Sequence, residues 1–400
     1  MYSKIKVSEE VYYIGVNDRK THLFENLWPI ENGVAYNSFI INDEKVALID
    51  TVERSMIDEY VDKIQNIIGG NKKVDYLIIN HMEPDHSGAI AEIIREYPGV
   101  KIVGNKMTFA LLKAFFGITS NLLQIEHGGS LDLGKRKLFF YNTPWLHWPE
   151  TMMTYDSFDK ILFSGDAFGS YGTLDGGIFD DEINIQFYEE EMRRYYSNIV
   201  GKYSKRVQDA LCILRDVDIK IICSTHGPVW RSQIQYVLNL YNDWSSYKSE
   251  QGVVIVVGTM YGNTERMAEI IARRLAENGI KNIRIFDSSK THLSYILRDI
   301  WKYKGVILGS CAYNAGVFPT VEILIHEMEH LELKDRLLGI FGTSGWNGAG
   351  VKGLLKFAER IGWEQVSDAI EAKGAPDEIA AQKCLVMADA MAKRLKEVYA

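Results

Sequence analysis

The chain has 400 residues, more than one hydrophobic core usually organises, so two domains are expected. Its 45 Lys and Arg against 53 Asp and Glu give a net charge of −8, which argues against a nucleic-acid binder relying on a clustered basic surface. With 46% hydrophobic and 24% charged residues the usage is ordinary for globular proteins, and disordered or repeat-biased classes are set aside.

In chain order, Met1–Glu10 alternates charged and apolar residues and offers no continuous apolar run for a signal peptide, and no later segment is long enough to span a bilayer. Short apolar runs then read as strands at Val46–Asp50, Tyr76–Asn80, Lys101–Gly104, Lys137–Thr143, Met152–Asp156, Ile161–Gly165 and Ile219–Thr225. Helical periodicity covers Met56–Ile68 and Ala89–Glu96, with Glu189–Leu214 the longest stretch. Such a mixture predicts two sheets covered on their outer faces. The four cysteines, Cys212, Cys223, Cys311 and Cys384, form no close pair and suit a reducing, cytoplasmic setting.

After Trp244–Gly252 the pattern changes to regular strand–helix alternation. Strands are expected at Val253–Gly258, Asn282–Asp287, Gly305–Gly309, Leu337–Gly342 and Glu364–Ala369, with helices starting at Thr264, Pro319, Gly348 and Pro376. Five strands over about 150 residues describe a doubly wound α/β parallel sheet of flavodoxin-like size. The expected division is residues 1–248 and 249–400.

Within the first part, His81-Met82-Glu83-Pro84-Asp85-His86 packs four potential ligands into six residues of a loop that directly follows a strand. His147, Asp166 and His226 each stand just beyond a strand end as well. Any one of them alone would read as a cap or a solvated loop residue. Seven together predict a metal site, because converging carboxylates repel one another without a cation. The loop resembles that of the metallo-β-lactamase superfamily, an αββα sandwich whose usual His-x-His-x-Asp-His sequence holds hydrolytic zinc. Here Glu83 replaces the second histidine, and an anionic hard oxygen donor favours iron over zinc. A zinc hydrolase tethered to a nucleotide-binding module remains the alternative reading.

The second part carries Thr259-Met260-Tyr261-Gly262-Asn263-Thr264 between a strand and a helix, where hydroxyls and helix N-terminal N–H groups suit a phosphate. Two more loops follow later strands: Ser310-Cys311-Ala312-Tyr313-Asn314-Ala315-Gly316 and Thr343-Ser344-Gly345-Trp346-Asn347-Gly348. All three leave the same ends of the expected parallel strands. The first is similar to the flavodoxin phosphate loop Thr-x-Thr-Gly-x-Thr, with Tyr261 in place of the middle threonine, and this likeness implies FMN. Tyr313 and Trp346 either flank the isoalloxazine or pack the loops, and Cys311 reads as a small packing residue.

Both motif sets in this order resemble the flavodiiron proteins, a family whose pattern Tyr36-Asn37-Ser38 and Leu146-His147-Trp148-Pro149-Glu150 also match. The resemblance implies two non-haem irons. His81, Glu83, His147 and Asp166 would hold the one nearer the flavin, and Asp85, His86, Asp166 and His226 the other. It implies reduction of dioxygen to water or of nitric oxide to nitrous oxide in the cytoplasm. Dioxygen needs four electrons, which a di-ferrous pair plus reduced flavin hold between them, and the coupling of two nitric oxides needs two. The resemblance also implies a head-to-tail homodimer or a dimer of dimers. As the sequence carries no Cys-rich module, an external donor is expected, rubredoxin or, alternatively, a reduced deazaflavin. Phe24–Glu31 lacks the histidine that some relatives place near the irons, so the preferred gas stays open. His22, His127, His292, His326 and His330 read as surface or packing residues, and Tyr196 as a candidate for the pocket wall.

Overall fold

The computed structural model describes residues 3–69 and 72–400. The chain divides into two compact units, Met1–Ser245 and Ser246–Ala400.

Among the described residues, the first unit contains a seven-stranded and a five-stranded sheet. Across the larger run Ile5–Lys6, Val11–Tyr13, Phe39–Asn42, Val46–Ile49 (β1), Tyr76–Ile78 (β2), Lys101–Gly104 and Leu122–Gln124. The smaller orders Ser130–Asp132, Lys137–Asn142, Met152–Asp156, Ile161–Gly165 (β3) and Ile221–Ser224 (β4). Alternate residues of the two sheets meet in one core: Phe39, Ile41, Ala47, Ile49 and Ile78 from the larger, Leu138, Phe140, Ile161 and Phe163 from the smaller. The opposite side chains, such as Ile40 and Leu48, are buried too, so these strands read as continuous apolar runs. Each fully buried Ile, Leu or Phe contributes roughly 1.5–3 kcal/mol, and a core of this size can offset the several kcal/mol per ion that buried charges cost.

The pairs β1–β2 and β3–β4 are parallel, so each pair delivers its following loops to the same end. Strands stop earlier than the apolar runs suggest. Asp50 turns out of β1 with φ +55°, Asn80 lies past β2, and Thr225 lies past β4. The expected long helix over Glu189–Leu214 is broken and begins earlier. Helix Ile185–Tyr195 passes through a π turn, Tyr196–Val200, and a 3-10 turn, Gly201–Tyr203, into helix Ser204–Leu214. Ser197 Oγ and Asn198 Nδ2 donate to the Arg194 carbonyl there, competing with the helical ladder.

The second unit orders Ile283–Asp287 (β6), Glu250–Gly258 (β5), Tyr303–Cys311 (β7), Leu337–Ser344 (β8) and Glu364–Gln365 (β9) in a parallel sheet. This is the flavodoxin-like strand order. The expected fifth strand, Glu364–Ala369, is instead two short pieces. After β9 the chain bends through Ser367 and Asp368 and pairs again with β8 at Ile370–Lys373 (β10). Val253, Ile255 and Val257 of β5 pack with Met267, Ile271 and Leu275 and with Met387, Met391 and Leu395 of the last helix. Val254 and Val256 are buried on the other face, where helix Leu293–Lys302, which periodicity did not reveal, packs against β5 and β7.

Candidate functional site

The loop after β2 is held before it is functional. Asp50 accepts from Asn80 N at 2.7 Å, Asn80 Nδ2 at 3.0 Å and His81 N at 3.4 Å, clamping the ends of β1 and β2 together. Glu83 opens the short helix Pro84–Ser87 (α1), its carbonyl accepting from His86 N and Ser87 N at 2.9 Å. Thr51 binds the His86 carbonyl from the other side through Oγ1 at 2.7 Å. His147 stands in a loop closed by Thr151 Oγ1 donating to the Thr143 carbonyl at 2.6 Å. Asp166 follows β3, whose last residue, Gly165, has φ +58°, and His226 precedes Gly227 at φ +67°.

These turns bring all seven expected ligands together in two groups: His81, Glu83, His147 and Asp166, and Asp85, His86 and His226. In the first, His81 Nε2 lies 3.2 Å from Glu83 Oε2 and 3.4 Å from Asp166 Oδ2, and His147 Nε2 lies 3.1 and 3.0 Å from the same two oxygens. In the second, His86 Nε2 is 3.2 Å from Asp85 Oδ2 and 3.0 Å from His226 Nε2, and His226 Nε2 is 3.3 Å from Asp85 Oδ2. Asp166 joins the groups. Its Oδ2 faces the first and its Oδ1 stands 3.0 Å from His86 Nε2.

Hydrogen bonding on the far side of the rings fixes which nitrogens face the cluster. His81 Nδ1 donates to Glu150 Oε1 at 2.8 Å, and His226 Nδ1 donates to the Ala35 carbonyl at 2.8 Å. With those protons placed outward, the Nε2 lone pairs point inward at carboxylate oxygens, acceptor against acceptor. Neither Asp85 oxygen makes a hydrogen bond, nor does the buried His86 Nδ1. Nitrogen and oxygen donors converging in this way fit a pair of cations.

Without a cation, protons take the place of the metal. Burial alone would depress His81, yet Asp166, Glu150 and Glu83 outweigh it and hold its pKa well above the ordinary value. Against the same burial, Asp85 and Asp166 push His86 up to about 9, and Asp166 and Glu83 push His147 up to about 9. Burial would raise Asp166 and Glu83, but the surrounding histidines hold both carboxyls below their usual range.

Several further residues complete the site. Asn37 Nδ2 donates to the carbonyls of Ser224 at 2.9 Å and Gly227 at 2.8 Å, fixing the His226 turn. That gives the Tyr36-Asn37-Ser38 motif a physical role. The rings of Phe24, Tyr36 and Tyr195 surround His226 at 5.3, 5.9 and 5.4 Å. Tyr195, not Tyr196, is therefore the pocket residue, and its buried hydroxyl has no hydrogen-bond partner. Tyr196 packs on Tyr241 and Trp244, with its hydroxyl on Ser204. Within Phe24–Glu31, Glu25 has φ +51° and accepts from Trp28 Nε1 at 2.9 Å. Burial of its carboxyl and repulsion from Glu83 push its pKa up to about 8, although the residue as a whole is exposed. His22, His127, His326 and His330 are exposed, and His292 caps helix Leu293–Lys302.

In the second unit the three expected loops stand side by side at the ends of β5, β7 and β8. Gly262, at φ +86°, caps helix Asn263–Glu277 (α2), and its N–H is held by Thr259 Oγ1 at 3.0 Å. Thr264 and Thr343 hydroxyls meet at 2.8 Å, and Ala312 N donates to the Thr343 carbonyl at 2.9 Å, tying the loops to one another. Asn314, in the left-handed region, lies between Tyr313 and Gly316, which pair with each other. Asn347 Oδ1 accepts from Ala349 N at 3.3 Å beside Gly348 at φ +59°. Two of the expected side chains serve the scaffold instead: Ser310 Oγ accepts from Phe318 N, and Ser344 Oγ binds Glu371. Cys311 is buried, and no neighbouring atom lies within 4 Å of the Cβ position at Gly345. Met260 and Tyr313 are 45% and 40% exposed, Tyr261 and Trp346 89% each, a set of apolar side chains around an open rim that fits a flat aromatic ligand.

Residues 34–227 match the ODP family beta lactamase, and residues 255–386 match flavodoxin. The anaerobic nitric oxide reductase flavorubredoxin of Escherichia coli is 32% identical over 386 residues, spanning 95% of this chain and 80% of that protein. The chain belongs to the flavodiiron proteins. Among solved structures, rubredoxin oxygen:oxidoreductase of Desulfovibrio gigas superposes with a TM-score of 0.95 at 29% identity, covering 100% of both chains. The flavodiiron protein of Giardia intestinalis gives 0.94 at 25% identity over 99% and 98% of the two chains. As a flavodiiron protein the chain is an oxidoreductase whose cofactors are FMN and a pair of non-haem irons, and the zinc-hydrolase alternative is set aside. Among the described residues, no helix is long and apolar enough to cross a membrane.

Proposed function

We propose that this flavodiiron protein reduces dioxygen to water, or nitric oxide to nitrous oxide, at the buried cluster of the first unit. One iron would be held by His81, Glu83, His147 and Asp166, the other by Asp85, His86, Asp166 and His226. Asp166 carries the assignment, because its two oxygens each face a different group of donors. FMN would lie in the loops 259–264, 310–316 and 343–348, its phosphate against Thr259, Thr264 and the first turn of α2. When bound, the irons and the flavin supply the electrons and the gas-binding positions.

The chain's own side chains do the rest. Glu150 and the Ala35 carbonyl keep the His81 and His226 lone pairs turned inward, and Thr225 Oγ1 donates to Asp166 Oδ1, fixing the shared carboxylate. Phe24, Tyr36 and Tyr195 wall the pocket with rings and limit water beside His226. We further infer a head-to-tail homodimer. Exposed Phe115 packs on Trp148 beside His147, and exposed Trp145 belongs to the same loop; they offer an apolar rim on the first unit as Tyr261 and Trp346 do on the second. The electron donor would be external, rubredoxin or a reduced deazaflavin.

Anaerobic stopped-flow of the fully reduced protein against dioxygen and nitric oxide separately, with product analysis, tests the reading. Rapid reoxidation by at least one gas, yielding water or nitrous oxide, is the expected result. Slow reoxidation by both, with hydrogen peroxide from dioxygen, would reject it.

A further inference from the structure

Glu150 is fully buried, and one of its oxygens accepts both the His81 Nδ1 proton and the Met82 backbone N–H, each at 2.8 Å. Its other oxygen makes no hydrogen bond. A carboxylate in that position does more than orient the ring, because its charge passes through the imidazole and makes Nε2 a stronger donor. Among the described residues no carboxylate hydrogen-bonds the rings of the other group from behind: His226 is backed by the neutral Ala35 carbonyl, and His86 Nδ1 has no hydrogen-bond partner. The remaining charges are balanced between the groups. Glu83 belongs to one, Asp85 to the other, and Asp166 gives an oxygen to each. Asp50 acts on His86 more than on His81 but hydrogen-bonds neither ring, and Glu25 lies beside Glu83, on the same side as Glu150.

We propose that Glu150 is a positioning residue that makes the two iron positions electronically unequal, so that removing one electron from the all-ferrous pair leaves the ferric ion on the His81 side. The inference rests on the diiron reading above. A ferric ion carries one more positive charge than a ferrous one, and the position backed by the additional anion stabilises it more. Loss of an outer-shell carboxylate partner of this kind changes metal binding by roughly 10- to 100-fold. The ferric-to-ferrous ratio at that position should fall by a similar factor at fixed potential when the charge is removed.

The test is Mössbauer spectroscopy of protein loaded with iron-57, reduced fully and then oxidised by one equivalent of ferricyanide, together with a redox titration of Glu150→Gln. The wild type should give one ferric and one ferrous doublet of equal area. Glu150→Gln should alter the ferric doublet, leave the ferrous one in place and raise the potential of the first oxidation step. A single averaged signal in the wild type, a change confined to the ferrous doublet or an unchanged potential in the variant would overturn the role given to Glu150. If Glu150→Gln does not fold, Glu150→Asp, which keeps the charge but withdraws it from His81, takes its place, with the same changes expected and the same results overturning the role. Failure of the protein to take up two irons would instead overturn the diiron reading, so the two failures are distinct.

Discussion

The two halves of this protein build their sites by opposite means. The first unit drives three acidic side chains and four histidines into a closed cluster, where every donor comes from a side chain and nearly every one is buried. The second unit uses the open edge of a parallel sheet, offering backbone N–H groups, threonine hydroxyls and exposed aromatic rings. Buried charges bind strongly but must be matched by a cation or by protons, whereas an edge cradle is stable empty and binds through many weak contacts.

The contrast predicts where each half breaks. Asp166→Ala removes the shared carboxylate and should cost more than the roughly 100-fold upper range of an outer-shell loss in gas turnover. Iron analysis should show loss of metal while flavin absorbance persists, and loss of both together would mean the halves are not independent.

Acidity should act on the first half alone. In the metal-free protein His86 and His147 hold protons up to about 9, and iron(II) must displace them. Below that pH, apparent affinity should fall about tenfold per pH unit for each proton displaced, measurable by competition with a chelator. The sign for stability is the reverse. Both histidines have raised folded-state values, so the stability they lend the metal-free protein is complete below about 6.5 and is lost as pH rises through about 9. Thermal unfolding of iron-free protein should therefore move to lower temperature across that window, while iron-loaded protein should not follow.

Asn37→Ala would leave the buried carbonyls of Ser224 and Gly227 without their donors, a cost of about 1–3 kcal/mol for each unsatisfied group. Denaturant unfolding should show it, together with weaker retention of the iron that His226 would hold. The smallest effect belongs to the cradle: Thr264→Val removes one hydroxyl and should weaken FMN by about 1 kcal/mol, close to a fivefold change by fluorescence titration, with iron content unchanged.

How far the sequence speaks differs between the halves for the same reason. The loop His81–His86 is legible because four ligands sit within six residues, and strand–Gly–helix punctuation marks the cradle around Gly262. Glu150 was visible only as part of a motif, since a lone glutamate gives no sign that it will be fully buried against His81. Tyr195 and Tyr196 could not be ranked because the π turn that begins at Tyr196 changes the angular spacing of side chains, and periodicity alone cannot place it.

Local composition thus determined the chemistry on offer: which residues can ligate, which turns can cradle a phosphate, and that an α/β chain with a doubly wound second half follows. Only the tertiary structure decided which oxygen of Asp166 faces which group, that Asn37 holds the His226 turn across 187 residues, and that one histidine is backed by a charge and another by a neutral carbonyl. Those relations join strands far apart in sequence, and contacts of that kind are fixed by packing the two sheets on one core, not by any local propensity.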